Sequence, residues 1–217
     1  MKRKFQHIAY LLMVAAVLTS CGEKKQTSEF PDWAWADFQR PEGINPIVSP
    51  DTTTVFYCPM RQDSVAWESS DTFNPAATIY DGKVVVLYRA EDNSAVGIGS
   101  RTSRLGYAYS DDGLHFNRMT VPVFYPADDN QKELEWPGGC EDPRVAVTDD
   151  GLYVMLYTQW NRKQARLAVA TSRDLQIWEK YGPAFAKAYG GRFFDEFSKS
   201  ASIVTKLVDG KQVIAKI

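Results

Sequence analysis

Short apolar runs separated by tight-turn sequences fill the chain from about residue 70 to its end. Asp81-Gly82 lies between residues 75–80 and 83–90, two runs rich in β-branched and aromatic residues, and this arrangement predicts a β-hairpin. Helical periodicity is nearly absent, and the best short helix candidate is residues 183–189. Similar turn sequences follow apolar runs at residues 111–113, 149–151 and 209–210. The pattern therefore predicts an all-β fold.

The strand pattern repeats along the chain. Asn74-Pro75, Asp142-Pro143 and Lys199-Ser200 each precede a strand, a turn and a second strand, and the first two rounds continue with two more strands. Four short antiparallel strands per unit are typical of a β-propeller blade, so the chain holds two complete blades and half of a third. Because a propeller needs at least four blades to close, we expect a fragment of a longer protein, truncated after Ile217.

The first residues are predicted to be a targeting segment outside the fold. A basic start, residues 2–4, precedes an apolar run from Ile8 to Leu18 that is too short for a mature membrane-spanning helix. The run ends in L-T-S-C, which resembles a bacterial lipoprotein signal with lipid attached to Cys21. We expect a lipid-anchored protein of the bacterial cell envelope, with an ordinary secretory signal as the alternative.

These patterns divide the chain into four expected segments. They are a signal peptide at 1–20, a lipidated cysteine and tether at 21–29, an irregular segment at 30–69 and a partial propeller domain at 70–217. Prolines at positions 31, 41, 46 and 50 exclude a long helix from the irregular segment, whose expected anchors are Trp33, Trp35 and Phe38.

Composition narrows the classes of function. The formal net charge is −2 and there is no basic block, so nucleic acid is an unlikely partner. The two histidines, His7 and His115, leave no His-based metal site, and no cofactor is expected. Cys58 and Cys140 either form a disulfide in an oxidising envelope or remain buried thiols. Abundant aromatic residues in an exported protein favour carbohydrate contact, although aromatics serve cores equally well.

The run W-P-G-G-C-E-D-P-R at residues 136–144 is the strongest candidate for chemistry. Its adjacent acids, Glu141 and Asp142, follow a double glycine that permits a sharp turn, and they precede a proline that favours extended backbone. We expect them where a loop enters a strand, with Arg144 as a cation able to hold one carboxylate. The alternative is a solvated loop in which the acids merely pair with Arg144.

An ordered set of segments resembles glycoside hydrolase family 130, the mannoside phosphorylases and β-mannosidases built on a five-bladed propeller. The segments are F-N-P-A (73–76), L-Y-R-A (87–90), S-R-L-G-Y-A-Y-S-D-D-G-L-H-F (103–116), G-G-C-E-D-P-R-V (138–145) and A-V-A-T-S-R-D-L-Q-I-W (168–178).

The resemblance implies roles for individual residues. Asp142 matches the family's catalytic acid, which donates a proton to the glycosidic oxygen partly through a sugar hydroxyl. Asn74 and Arg89 match residues that hold the mannosyl unit, and amide and guanidinium groups supply fixed donors to sugar hydroxyls. The alternative for Arg89 is an ion pair with a neighbouring acid, Glu91 or Asp92. Glu141 is a further sugar-binding candidate, and Arg144 is a sugar-binding candidate or a brace for the acids.

The family inverts the anomeric carbon with either water or phosphate as nucleophile. Water requires a second carboxylate as base, for which Asp195 and Glu196 are the nearby candidates. Phosphate requires cations, and Lys199 stands where phosphorylases carry a lysine near their phosphate site. We expect the remaining nucleophile-binding residues beyond Ile217.

An extracytoplasmic location favours hydrolysis, because a sugar phosphate made outside the cytoplasm is not retained by the cell. The sequence thus predicts an inverting β-mannoside hydrolase with a glycan substrate. Phosphorolysis to mannose 1-phosphate, with inorganic phosphate as co-substrate, is the alternative. A further alternative is a non-catalytic glycan-binding lipoprotein.

Overall fold

A computed structural model describes residues 39–203, 205–208 and 211–214, with only the backbone described at 206–208 and 211–214. The described residues form twelve strands, one short α-helix, α1 (Lys132–Glu135), and a 3-10 turn at Ala188–Gly191. The all-β prediction is therefore confirmed. The predicted signal peptide and tether, Cys21, the predicted turn at Asp209-Gly210 and the expected anchors Trp33, Trp35 and Phe38 all lie outside the described residues.

A small hairpin precedes the main sheet. Its strands are β1 (Phe56–Cys58) and β2 (Asp63–Val65), paired antiparallel within the segment that was expected to be irregular. No proline of that segment lies between Pro50 and Pro59, so the β-forming run V-F-Y-C at residues 55–58 is uninterrupted. Phe56 and Cys58 point into the core and Tyr57 points outward, as alternation along a strand requires.

The first four-stranded unit contains the predicted hairpin. Its strands, each antiparallel to the next, are β3 (Asp71–Tyr80), β4 (Lys83–Glu91), β5 (Ser103–Ser110) and β6 (Asn117–Arg118). Asp81 and Gly82 connect β3 to β4 with φ of 49° and 73°. Positive φ at both central residues is what a two-residue hairpin turn requires, so the hairpin prediction is confirmed.

The second unit repeats the arrangement, and a separate hairpin follows it. The unit consists of β7 (Gly139–Val147), β8 (Tyr153–Trp160), β9 (Ala165–Ser172) and β10 (Glu179–Pro183). The separate hairpin consists of β11 (Thr205–Val208) and β12 (Lys211–Ile214). The helix candidate at 183–189 does not form an α-helix, because Pro183 ends β10, turns follow it and the 3-10 turn begins at Ala188. The observed helix, α1, was not predicted, since four residues are too few to show a helical period.

A single parallel bridge joins the two four-stranded units into one sheet. Ser103 at the start of β5 pairs with Gly139 at the start of β7, and the Ser103 amide donates to the Gly138 carbonyl at 2.8 Å. Strand β3 also packs against β7. The first strands of the two units are thereby held side by side, which brings their side chains to one place.

The first core cluster lies between the two units, and a second lies between the first unit and the β1–β2 hairpin. Alternate residues of β4 serve different clusters: Val85 and Leu87 join the first, while Val86 and Tyr88 join the second. This explains why β4 reads as a continuous apolar run, since a strand covered on both faces has no polar alternation.

The two cysteines described by the structure are free thiols in different clusters. Cys58 belongs to the second cluster and Cys140 to the first, and both are buried. The disulfide alternative is therefore not realised, and the buried-thiol alternative describes both residues.

Replacement of Gly139 by alanine should separate steric from conformational effects at the bridge. Gly139 has φ of 117°, and an added Cβ would overlap the backbone of Ser103. Gly151 also has a positive φ, of 77°, but open space surrounds it. We expect Gly151→Ala to lower the free energy of unfolding by about 1–2 kcal/mol. Gly139→Ala should lower it by roughly 1–3 kcal/mol more. Urea unfolding of the full-length protein measures both, and equal losses would contradict this role for the bridge.

Candidate active site

Asn74 and Asp142 occupy equivalent irregular positions in the first strands of the two units. The register of β3 shifts between Phe73 and Ala76, and that of β7 shifts between Glu141 and Arg144. Asn74 and Asp142 have left-handed φ angles of 45° and 52°. Asn and Asp tolerate this region better than other non-glycine residues, and such bulges re-aim side chains next to active sites. The acids therefore lie within β7 at a bulge, and the expectation that they sit where a loop enters a strand is corrected.

The third repeat shows the same backbone feature at Ser200, whose φ is 54°. The equivalent residues are thus Asn74, Asp142 and Ser200, one position later than the predicted alignment on Lys199-Ser200. Lys199 then corresponds to Glu141, the residue that precedes the left-handed position in the second unit.

Arg89 on β4 is the centre of the polar cluster. Its Nη1 donates to Oδ1 of Asp142 at 3.0 Å, and its Nη2 donates to Oε1 of Glu141 at 2.8 Å and to Oε1 of Glu91 at 2.5 Å. Its Nε donates to Oγ of Ser103 at 3.0 Å. The guanidinium is nearly inaccessible to solvent, and its fixed fork of donors suits several carboxylates at once.

The structure shows the ion-pair alternative for Arg89, whereas its contact with a sugar stays a prediction. Arg89 pairs with Glu91, as the structural alternative expected, and it also holds both acids of the candidate site. Asp92, the other expected partner, pairs instead with buried Arg104 at 2.9 Å.

Asn74 and Lys199 complete the surroundings of the acids. The side-chain amide of Asn74 donates to Oδ1 of Asp142 at 2.8 Å, the same oxygen that Arg89 contacts. Lys199 Nζ lies 3.3 Å from the other oxygen, Oδ2, and also pairs with Oε2 of Glu141. The Lys199 side chain is 44% exposed, so this cation is open to solvent whereas Arg89 is buried.

Three predicted residues lack the expected contacts. Arg144 lies beyond the register shift, opposite Leu156, and donates to the carbonyl of Pro143 at 2.7 Å. The structure thus shows Arg89, and not Arg144, holding the acid pair. Asp195 is exposed and pairs with Arg166, and Glu196 is also exposed. Within the described residues neither acid pairs with the cations of the site.

Burial and neighbouring charges move the two adjacent acids in opposite directions. Burial raises the pKa of Glu141 above its ordinary value, although Arg89 and Lys199 oppose the shift. Burial acts on Asp142 in the same direction, but the Asn74 hydrogen bond and the charges of Arg89 and Lys199 outweigh it, so the pKa of Asp142 lies below its ordinary value. Without a substrate, Glu141 keeps its proton to a higher pH than Asp142.

A pocket of about 320 Å³ opens beside this cluster, and Arg89, Glu141 and Lys199 form its polar lining. Its size is at the lower end of the range of small-molecule sites. The described residues contain no group of three or more acidic, histidine or cysteine side chains placed to hold a metal ion. The arrangement offers fixed hydrogen-bond donors, two carboxylates and a partly exposed cation, a set suited to a polyhydroxylated ligand.

Sequence reasoning missed Ser103, Phe73 and Trp160 as site residues. Ser103 joins Arg89 to Glu91, the ring of Phe73 lies 4.5 Å from the Arg89 guanidinium carbon, and Trp160 lines the pocket. The motif F-N-P-A contained Phe73, and its position beside Asn74 was the available signal. Ser103 begins the motif at residues 103–116, but the motif did not reveal its contacts, because they depend on the pairing of β4 with β5.

The chain belongs to glycoside hydrolase family 130. The family model described as β-1,4-mannooligosaccharide phosphorylase matches residues 39–216, which confirms the resemblance drawn from the motifs. A 1,2-β-oligomannan phosphorylase from Thermoanaerobacter sp. (strain X514) is 36% identical over 152 residues, or 68% of this chain and 46% of that protein.

Two solved structures extend the comparison. A candidate glycosidase from Bacteroides thetaiotaomicron VPI-5482 is 99% identical, with a TM-score of 0.81 over 87% of this chain and 54% of that one. The second is 69% identical, with a TM-score of 0.80 over 87% of this chain and 52% of that one. Its description says that the GH130 family of mannoside phosphorylases contains glycoside hydrolases that target β-1,2 mannosidic linkages in Candida mannan. The chain spans about half the length of these relatives.

The opposite pKa shifts predict opposite pH dependences of stability. The raised pKa of Glu141 adds to the free energy of unfolding at pH below its ordinary pKa of 4.5. This stabilisation is lost as the pH rises through the pKa of Glu141 in the folded protein. The lowered pKa of Asp142 adds to the free energy of unfolding at pH above its ordinary pKa of 3.8. This stabilisation is lost as the pH falls through the pKa of Asp142 in the folded protein.

Unfolding free energies of Glu141→Gln and Asp142→Asn, measured in urea across this acidic range, test both signs. The stability of the unsubstituted protein minus that of Glu141→Gln should fall as the pH rises above 4.5. The corresponding difference for Asp142→Asn should fall as the pH drops below 3.8. Two differences that change in the same direction would contradict the assigned shifts.

Proposed function

We propose that the full-length protein cleaves β-mannosidic linkages with inversion and that Asp142 is its general acid. The observation that carries the proposal is the convergence of Asn74 and Arg89 on one oxygen of Asp142, beside a pocket. Family membership supports the reaction class, and the names of the relatives support a β-1,2-linked mannoside as substrate.

The unliganded geometry leaves Asp142 ionised, whereas a general acid must carry a proton. Lys199 is one cause of the lowered pKa, and its side chain is partly exposed. A bound sugar that displaces Lys199 from Oδ2 removes this positive charge and raises the pKa of Asp142. The protonated carboxyl then donates to the glycosidic oxygen, directly or through a sugar hydroxyl, as the bond to the leaving sugar breaks. Asn74 and Arg89 act as donors that orient the acid and the mannosyl unit, and Glu141 as a further contact to the sugar.

Inorganic phosphate is proposed as the acceptor. Location alone favoured water over phosphate, and this preference is reversed here. The support is the phosphorylase activity named for the curated relative, together with a cation at the acid pair. Lys199 released from the carboxylates by substrate is able to contact a phosphate oxygen, because an ammonium group binds phosphate through charge-assisted hydrogen bonds.

Hydrolysis is the second candidate, favoured by one specific observation. The structure that is 69% identical is described in terms of glycoside hydrolases, and this identity far exceeds that of the phosphorylase. Within the described residues, the carboxylates that pair with Arg89 or Lys199 are Glu91, Glu141 and Asp142. The base required for hydrolysis is therefore proposed to lie outside the described residues.

The architecture and location are proposed as follows. The two four-stranded units are consecutive blades of a five-bladed propeller, and the β11–β12 hairpin begins the next one, within a propeller domain that starts near residue 70. Residues 1–20 act as a signal peptide, and lipid on Cys21 anchors the protein in the cell envelope through the tether at 21–29. The described residues include no helix long and apolar enough to cross a membrane.

Asp142→Asn should abolish turnover while preserving the fold. The amide keeps the size of the side chain but cannot donate a carboxyl proton, so kcat for β-1,2-mannobiose should fall by about 10²–10⁴-fold. Asp150→Asn is the matched control, because Asp150 is an exposed acid that lies on a turn and pairs with Arg173. The activity of this control variant should be unchanged. Full activity of Asp142→Asn would contradict its role as the general acid, whereas sugar binding without turnover by the unsubstituted protein would indicate a binding protein.

Phosphate dependence should distinguish the two acceptors. We expect release of mannose 1-phosphate from β-1,2-mannobiose only when phosphate is added, with sulfate at equal ionic strength as control. Lys199→Met should raise the KM for phosphate by at least about tenfold, because it removes the proposed cationic contact. Free mannose released at the same rate without phosphate would establish hydrolysis and exclude phosphate as the required acceptor.

A further inference from the structure

The pocket beside the acids is polar at its floor and apolar at its mouth. Arg89 and Glu141 are 2% and 1% exposed, whereas Ile98 and Phe197, which line the same pocket, are 69% and 70% exposed. The same pocket therefore combines charged groups with large apolar side chains, a lining typical of sites that bind small molecules.

Trp160 forms the fixed part of the apolar lining. Its indole nitrogen donates to the carbonyl of Gly99 at 2.7 Å, which ties it to the loop that carries Ile98. Gly138 packs directly against the indole, since a Cβ at that position would overlap the ring. The ring is thus held by a hydrogen bond on one side and by backbone on another, while it lines the pocket.

We propose that Ile98, Trp160 and Phe197 form an apolar wall that holds the second sugar unit of the mannoside substrate. The inference rests on the proposed function and extends it to substrate specificity. A terminal mannosyl unit needs many hydrogen bonds and finds them at the buried floor. The next unit of the chain then lies at the mouth, where its C–H faces pack on apolar and aromatic side chains. The wall therefore selects substrates with a second sugar and directs cleavage to the chain end.

The double variant Ile98→Ala/Phe197→Ala tests the wall without disturbing the core, because both side chains are mostly exposed. The matched control is Ile177→Ala/Tyr189→Ala, which removes side chains that are 77% and 87% exposed and do not line this pocket. We expect the first variant to raise the KM for β-1,2-mannobiose by about tenfold, while kcat/KM for β-mannosyl fluoride, which lacks a second sugar, is unchanged. The control should leave both substrates unaffected.

Binding in an Asp142→Asn background separates the wall from the chemistry. Calorimetric titration should show about tenfold weaker binding of β-1,2-mannobiose to the wall variant, with methyl β-mannoside unaffected. Equal losses for both sugars, no loss for mannobiose, or no binding of either sugar by the background protein would each overturn the wall. Unsubstituted protein that binds mannobiose through the wall and never cleaves it would overturn the proposed function alone.

Discussion

The site depends on one buried guanidinium shared by two structural units. Arg89 comes from β4 of the first unit, and it contacts Glu91 on its own strand and both acids on β7 of the second. All four side chains are almost completely buried. Removal of one partner from a buried ion pair typically costs about 3–5 kcal/mol, because the remaining charge stays desolvated. The same contacts that join the units therefore also fix the orientation of the acids.

The repeated bulge explains how a regular β-structure brings unlike side chains together. Asn74, Asp142 and Ser200 share a left-handed backbone at equivalent places in successive repeats. An ordinary strand would alternate these side chains between two faces, whereas the bulge turns the residue out of the ladder. With β3 packed against β7, the amide of Asn74 reaches the carboxylate of Asp142 although 68 residues separate them in sequence. One backbone device thus supplies an amide in one unit and an acid in the next.

Charge balance at the acid pair links structure to the proposed reaction. Asp142 is poised as an anion in the absence of substrate because Asn74, Arg89 and Lys199 all stabilise its charged form. Of the two cations among these, Arg89 is buried and Lys199 is 44% exposed, so Lys199 is the charged partner that a ligand can displace. Protonation of the acid is then coupled to substrate binding, which restricts the acidic form of Asp142 to the occupied site.

Local sequence patterns determined the strands, the Asp81-Gly82 turn and the family motifs, since turn chemistry and strand periodicity are properties of neighbouring residues. They also placed Asn74, Arg89, Glu141 and Asp142 among the candidates, and the structure brings these four together. Sequence could not decide that Arg89 and not Arg144 holds the acids, because that choice depends on a register shift and on contact between distant strands. For the same reason, only the tertiary structure revealed the roles of Ser103 and Trp160, the separation of Cys58 from Cys140, and the opposite pKa shifts of two adjacent acids.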